Sequence, residues 1–350
     1  MNLAVFLPNW VGDAVMATPT LRALRSLAGV RGRMVSVLRP HIAEVLAGVE
    51  SLDEQILFDP HSHDSELGSW SVIKQLRSCS PDAIVLLTNS LRTGLIAWAT
   101  GAPERVGYSR YGRGITLTTK LHPPRRGRKR IPTPAIDSYL QLAYAIGAPN
   151  QAPRLDLTTL PSDEAAADAV WRKFSLPVGG NVVVLNSSGA FGSAKLWPSE
   201  YFGELARRIA DRDRLSVLVV CGPDERRTAE QIVRDARHPN VVSLAAEPVS
   251  LGLTKACVRR SRMLVTTDSG PRFFGVAFGV PVVTLFGPTY MDWTSSHYAG
   301  EICLQHDVAC GPCMRHVCPY SHHRCMRDLT VDRVYHAVVR QLQFGRRRAA

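Results

Sequence analysis

Six consecutive residues, Thr266-Thr267-Asp268-Ser269-Gly270-Pro271, follow an apolar run from Met263 to Val265. The run reads as a buried strand, and a short helix is expected from the motif to about Phe278. Asp268 or Ser269 can N-cap that helix, and Pro271 suits its first turn. Gly270 lets a ligand approach the backbone. Free amides and the helix dipole would then favour an anion such as a phosphate or diphosphate, although a well-capped βα turn has the same composition. A second polar group is Asn186-Ser187-Ser188-Gly189, followed by Lys195-Leu196-Trp197-Pro198. Two hydroxyls and a lysine suit a diphosphate. Gly222-Pro223-Asp224-Glu225 offers a carboxylate, either for ribose hydroxyls or for a helix cap, and Val249 can pack on a base. Near the N-terminus, Asp13 follows Gly12 and is either a general base or a helix cap. There is no Walker A lysine motif and no Gly-x-Gly-x-x-Gly after the first strand, which disfavours a dinucleotide oxidoreductase.

Positioning these loops requires strands that end beside them. Strands are expected at Leu3 to Pro8, Val35 to Leu38, Gln55 to Phe58, Ala83 to Leu87 and Arg105 to Tyr108, with Asn9 to Asp13 as a loop after the first. Helical spacing separates them. The alternation then restarts with strands at Val182 to Leu185, Ser216 to Val220, Val241 to Ser243, Met263 to Thr266 and Val280 to Leu285. Such a pattern predicts two α/β, doubly wound, Rossmann-like domains. The Pro-rich connection Gly147 to Pro161 marks the boundary. The expected division is 1–160, 161–328, and a C-terminal helix with a basic tail at 329–350, its helix capped by Thr330. The polar loops all fall at strand C-termini, where such sheets bind ligands, and two domains of this kind can place them around a central cleft.

The 350-residue chain is 45% hydrophobic and 21% charged, in the range of a soluble globular protein. No run approaches the roughly 18 apolar residues of a membrane span, and no basic n-region or cleavage site of a signal peptide is visible. Eight cysteines are too few for a disulfide scaffold, and Cys79, Cys221 and Cys257 are scattered as in a reducing cytosol. The net charge of +12 calls for an anionic partner. It concentrates between Lys120 and Pro134, at Arg125, Arg126, Arg128, Lys129 and Arg130, and in the tail Arg346-Arg347-Arg348. Neither stretch has the aromatic interleaving of a nucleic-acid groove, so nucleic acid is the weakest partner class.

Taken together, Asn9-Trp10-Val11-Gly12-Asp13-Ala14-Val15-Met16, Lys195-x-Trp197-Pro198, Asp268-Ser269-Gly270-Pro271, Gly279-Val280-Pro281 and Phe286-Gly287-Pro288-Thr289 resemble glycosyltransferase family 9. These are the ADP-heptose:lipopolysaccharide heptosyltransferases. The resemblance implies a GT-B fold, with the acceptor on the N-terminal domain and the nucleotide sugar on the C-terminal one. It implies an inverting, metal-independent heptosyl transfer that requires no cofactor. Asp13 falls on the family's general base. Ser187, Ser188 and Lys195 fall on diphosphate positions, Asp224 near the ribose acid and Val249 on a base contact. Asp268, Ser269 and Gly270 fall on the loop that touches the diphosphate and sugar. The implied partners are ADP-heptose and a lipopolysaccharide core acceptor at the inner membrane, whose anionic surface suits the Lys120 to Arg130 stretch. A cytoplasmic enzyme, peripheral on that membrane, is therefore expected. One departure stands out: the family usually has histidine five residues after the motif aspartate, and this chain has Phe273 there, preceded by Arg272, a cation able to take over the contact.

Two other readings share this architecture, a nucleotide-sugar epimerase and a non-catalytic sugar-nucleotide or polyanion binder. A separate feature is Cys310-x2-Cys313-x4-Cys318-x6-Cys325, with His316, His322 and His323 nearby. Four thiolates, or three and a histidine, can hold a structural zinc; reduced thiols or a redox disulfide are the alternatives. The segment is expected between the last strand and the final helix, in a structural role.

Overall fold

The computed structural model describes residues 1–127 and 129–349. It divides into two compact units, Met1–Thr158 with Asp292–His297, and Thr159–Met291 with Tyr298–Ala350. Residues 292–297 thus group with the first unit, and the C-terminal helix is part of the second rather than a separate segment.

In the first unit, apolar runs become strands β1 Leu3–Phe6, β2 Met34–Leu38, β3 Glu54–Leu57, β4 Ala83–Leu86 and β5 Glu104–Tyr108. Every residue of β1, β2 and β4 is buried, as a parallel sheet covered on both faces requires. A sixth strand, β6 Thr119–Leu121, extends the sheet, and the strand order is β3-β2-β1-β4-β5-β6 with every pairing parallel. The helices are α1 Val11–Met16, α2 Thr18–Ala28, α3 Pro40–Leu46, α4 Ser69–Cys79, α5 Leu91–Thr100 and α6 Ala135–Tyr144. α1 breaks at Ala17 and α2 restarts at Thr18, whose hydroxyl donates to the Val15 carbonyl at 2.8 Å. Residues 11–13, expected in a loop, are therefore helical, and Asp13 sits in the first turn of α1. Within the basic stretch, β7 Arg125–Arg126 pairs antiparallel with β8 Lys129–Arg130 as a hairpin. Arg128 lies outside the described residues.

The second unit repeats the plan. Its strands are β9 Val182–Asn186, β10 Ser216–Val220, β11 Val241–Ser243, β12 Met263–Thr267, β13 Val282–Phe286 and β14 Glu301–Gln305. They lie in the order β11-β10-β9-β12-β13-β14, again all parallel. The helices are α7 Pro161–Lys173, α8 Ser199–Arg212, α9 Arg226–Ala236, α10 Leu251–Arg260, α11 Arg272–Ala277, α12 Arg324–Arg327 and α13 Val331–Ala349. Thr330 Oγ1 accepts from the Arg333 amide at 3.3 Å, and Val334, Val338 and Leu342 bury one face of α13. β14 was not expected; it carries Cys303, and the Cys310 to Cys325 segment follows it and precedes α13, as the sequence reading placed it between the last strand and the final helix. In both sheets the strand order reverses between the first and fourth strands, β1 beside β4 and β9 beside β12. Ligands of open α/β sheets bind outside the C-terminal ends of that pair.

Candidate functional site

In the second unit the switch point joins the ends of β9 and β12. Asn186 Nδ2 donates to Thr266 Oγ1 at 2.9 Å and to Ser269 Oγ at 2.8 Å. The Thr267 hydroxyl donates to the Ser188 carbonyl. These bonds hold Ser187 and Ser188 beside Asp268 and Ser269. The amides of Asp268, Arg272 and Phe273 are bonded to Leu285, Ser269 and Gly270 carbonyls, whereas those of Ser269 and Gly270 meet no acceptor among the described residues. Asp268 and Ser269 do not cap α11, whose N-cap is Pro271 with no side-chain bond.

Lys195 arrives from a single 3-10 turn, Ser193–Lys195. It is no surface lysine: its side chain is 11% exposed and that of Asp268 only 4%. Lys195 Nζ donates to Asp268 Oδ2 at 2.6 Å and to the Asp268 carbonyl at 2.9 Å, and lies 4.9 Å from the Phe191 ring centroid. Thr289 Oγ1 donates to the same Oδ2 at 2.8 Å, and Arg272 Nη1 stands 3.4 Å from Oδ1. Burial pushes the Asp268 carboxyl up, but Lys195 and Arg272 outweigh it and leave it below its ordinary value.

Arg272 is not turned toward a ligand. It is 1% exposed, and its Nε and Nη2 reach Glu301 Oε1 and Oε2 at 2.5 and 3.1 Å. The Phe273 and Phe286 rings stack on its guanidinium at 4.8 and 4.9 Å. Burial lowers its affinity for a proton, and Glu301 and Asp268 more than restore it. The expectation that Arg272 replaces the histidine contact is thereby corrected: its charge is neutralised inside the unit, and Phe273, 3% exposed, packs beside it.

Trp197 anchors the Lys195 loop by donating Nε1 to the Leu329 carbonyl at 2.8 Å. The cysteine-rich stretch anchors it too. The Ala194 amide donates to the His316 carbonyl at 3.0 Å, His316 stacks on Phe191 at 4.1 Å, and His323 Nε2 lies 2.8 Å from the Ala194 carbonyl. Gly192 makes this approach possible at φ +148°, where an added Cβ would stand 2.3 Å from the His316 carbonyl oxygen. Cys310, Cys313, Cys318 and Cys325 are half-buried free thiols. Burial, and then the neighbouring Cys313, Cys318 and Cys310, push the Cys325 thiol up to about 11. Among the described residues, no group of three or more histidine, cysteine or carboxylate side chains is arranged to hold a metal ion.

Asp224 is exposed, and the adjacent Glu225 is the capping residue, accepting from the Gly222 amide at 2.8 Å. Val249 is half-buried just ahead of Ser250, the N-cap of α10.

In the first unit the switch point opens on a cavity of about 270 Å³. Asn9, Arg39, His61, Ser90, Arg92 and Thr93 contribute its polar wall, from the loops after β1, β2, β3 and β4 and the first turn of α5. Arg39 is paired with Asp59 at 2.5 Å. Sequence reasoning missed this cavity because its cations are isolated along the chain. Arg125 and Arg126, singled out instead, are exposed on the hairpin and do not line it. Side chains of Lys129 and Arg130 lie outside the described set. The half-buried Asp13 accepts from the Tyr139 hydroxyl of α6 at 3.3 Å. Burial and then the Asp13 charge push the Tyr139 phenol well above its ordinary range, so it remains a donor to the carboxylate.

Residues 69–323 match the profile described as glycosyltransferase family 9 (heptosyltransferase). The chain is 28% identical over 351 residues to lipooligosaccharide heptosyltransferase 2 of Campylobacter jejuni serotype O:6, covering 95% of this chain and 97% of that one. It is 26% identical over 348 residues to lipopolysaccharide heptosyltransferase 2 of Escherichia coli K12, covering 95% and 96%. The solved E. coli ADP-heptose lipopolysaccharide heptosyltransferase II superposes with a TM-score of 0.78 at 21% identity, over 98% of this chain and 99% of that one.

Proposed function

The chain belongs to glycosyltransferase family 9, and on that premise we propose that it transfers heptose from ADP-heptose to a lipopolysaccharide inner-core acceptor, with inversion and without a metal ion. The observation that carries this reading is the buried Lys195–Asp268 pair at the β9–β12 switch point, beside two hydroxyls and two unbonded amides. Breaking the bond between the sugar and the diphosphate builds negative charge on the leaving oxygen. An ammonium, hydroxyls and amides fixed in advance can hold that charge, at a few kcal/mol for each good contact in the transition state. Ser187, Ser188, Lys195, Ser269 and Gly270 are the groups for that task.

Asp268 takes a different part from the one its motif implies. Its Oδ2 is occupied by Lys195 and Thr289 and its Oδ1 faces Arg272, so it positions Lys195 rather than binding sugar. Asp224 and Val249 remain the groups proposed for ribose and base. On the other unit, Asp13 is the proposed general base. It takes the proton of the acceptor hydroxyl as that oxygen bonds to the anomeric carbon and ADP leaves. Tyr139 fixes the carboxylate by donating to it. The switch-point cavity of the first unit, with Arg39, His61 and Arg92, is proposed to receive the acceptor's sugars and acidic groups.

Calorimetric titration of ADP, UDP and GDP into wild type and Lys195→Ala, in EDTA, tests the donor side. Selective ADP binding, weakened tenfold or more by the substitution, is the expected result. Preference for UDP, or no nucleotide binding at all, overturns it.

A further inference from the structure

The face of α5 is unusual. Leu91, Leu95 and Trp98 share one side of the helix, at spacings of four and three residues, and are 43%, 46% and 60% exposed. α5 packs between α4 and the turn Arg113–Thr116. Each neighbour adds a large apolar side chain to the surface: Trp70, in the first turn of α4, is 81% exposed, and Ile115 is 85% exposed. Isolated exposed apolar residues need no explanation, but a stripe with flanking aromatics marks an interaction surface.

The charge of the same stretch of chain says what covers it. Between Leu91 and Ile131 the sequence carries ten lysines and arginines (Arg92, Arg105, Arg110, Arg113, Lys120, Arg125, Arg126, Arg128, Lys129 and Arg130) and one acid, Glu104. Arg105 and Arg113 are turned inward onto backbone carbonyls, while Lys120, Arg125 and Arg126 are exposed. Exposed apolar and tryptophan side chains together with a basic segment are what the interface of an acidic bilayer selects. No helix among the described residues is long and apolar enough to cross a membrane, so any such contact is with its surface. The stripe also begins at the cavity rim, since Leu91 stands between the lining residues Ser90 and Arg92.

We propose that the α5 face, Leu91, Leu95 and Trp98 with Trp70 and Ile115, seats this protein on an anionic bilayer. This rests on the reading of the first-unit cavity as the acceptor site. A lipid-anchored acceptor lies at the same surface, so docking there brings the cavity mouth to it. The stripe supplies the apolar insertion and the basic segment supplies the attraction.

The test is flotation of the full chain with vesicles of phosphatidylcholine, with and without 30% phosphatidylglycerol (about one lipid in three, enough to charge the surface). It compares wild type with Leu91→Gln/Leu95→Gln/Trp98→Gln. Trp fluorescence is read in parallel with lipids brominated on the acyl chain. Wild type is expected to float only with the acidic vesicles, to lose most binding in 0.5 M salt (Debye length about 4 Å), and to be quenched by brominated lipid. The triple variant is expected to bind at least tenfold less while its ADP affinity, a property of the second unit, stays unchanged. That control separates the two readings, since a failure to bind ADP tells against the donor site without touching the vesicle result. Equal binding of variant and wild type, or no binding of wild type, overturns the proposal. So does a concentration-dependent dimer in sedimentation that the triple substitution abolishes, because a second copy would then cover the stripe.

Discussion

Asp268→Asn separates positioning from substrate contact. The carboxylate is 4% exposed, and its two oxygens meet three donors: Lys195 at 2.6 Å, Thr289 at 2.8 Å and Arg272 at 3.4 Å. An asparagine of the same shape must point its amide nitrogen at one of them, and it leaves two cations with Glu301 as their remaining acid. Removing one partner of a buried pair typically costs about 3–5 kcal/mol. For a unit of this size that is roughly 2–4 °C of Tm per kcal/mol, so the melting temperature should fall by roughly 6–20 °C. Catalysis should fall as well, through a displaced Lys195, so Lys195→Met and the double variant complete a cycle. If Asp268 acts through Lys195, the two activity losses overlap, with a coupling above about 1 kcal/mol. The pH dependence has a definite sign. Asp268 is held below its ordinary 3.8, so its contribution is present above that value and is lost as pH falls through its lower folded value. Wild type should lose this stability below about pH 4, and Asp268→Asn should lack that part of the acid dependence. Calorimetry over pH 3 to 7 (spanning the ordinary carboxylate range) and steady-state transfer rates provide the measurements. A Tm within about 2 °C of wild type, or strictly additive activity losses, would refute the reasoning.

Two further outcomes are expected. Asp13→Asn should lower the rate of transfer by about 10²–10⁴ with ADP affinity unchanged, measured by product formation beside calorimetry, and Tyr139→Phe should lower the rate less, since it removes only the donor that orients the base. Gly192→Ala places a Cβ against the His316 carbonyl at a φ that L residues rarely adopt, so it should shift the Lys195 loop and weaken ADP binding while Gly179→Ala, another positive-φ glycine but with open space around it, does not.

The parts of this fold that were legible are those where one physical demand dominates. β1, β4, β9 and β12 are buried on both faces, so each is a short, mainly apolar run, and Ser187 and Asp268, directly after β9 and β12, fall at the strand ends where ligands of such sheets bind. What was not legible lies at the edges. β6 is three residues long and β14 closes the second sheet with half-buried or exposed residues, so neither carries the pattern of a buried strand. The hairpin β7–β8 is made of arginines and lysine, which no strand preference would select.

An error in the site followed from an error in the fold. Read from the sequence alone, Arg272 is a cation four residues from a motif aspartate, able to take over the contact of the family's histidine. Its true partner is Glu301, 29 residues away and on β14, a strand the pattern does not announce. Once that strand is in the sheet, Thr284 donates to Glu301 Oε1 at 2.6 Å, Glu301 pairs with Arg272, and Arg272 faces Asp268. The charge that seemed available is the inner end of a chain running from the sheet edge to Lys195. Phe273 is part of the same arrangement, since its ring covers the guanidinium. On this argument the residue in the family's histidine position was not exchanged for a neighbouring cation. On the proposed reading the positive charge left for a donor rests on Lys195, which the Asp268 carboxylate holds in place.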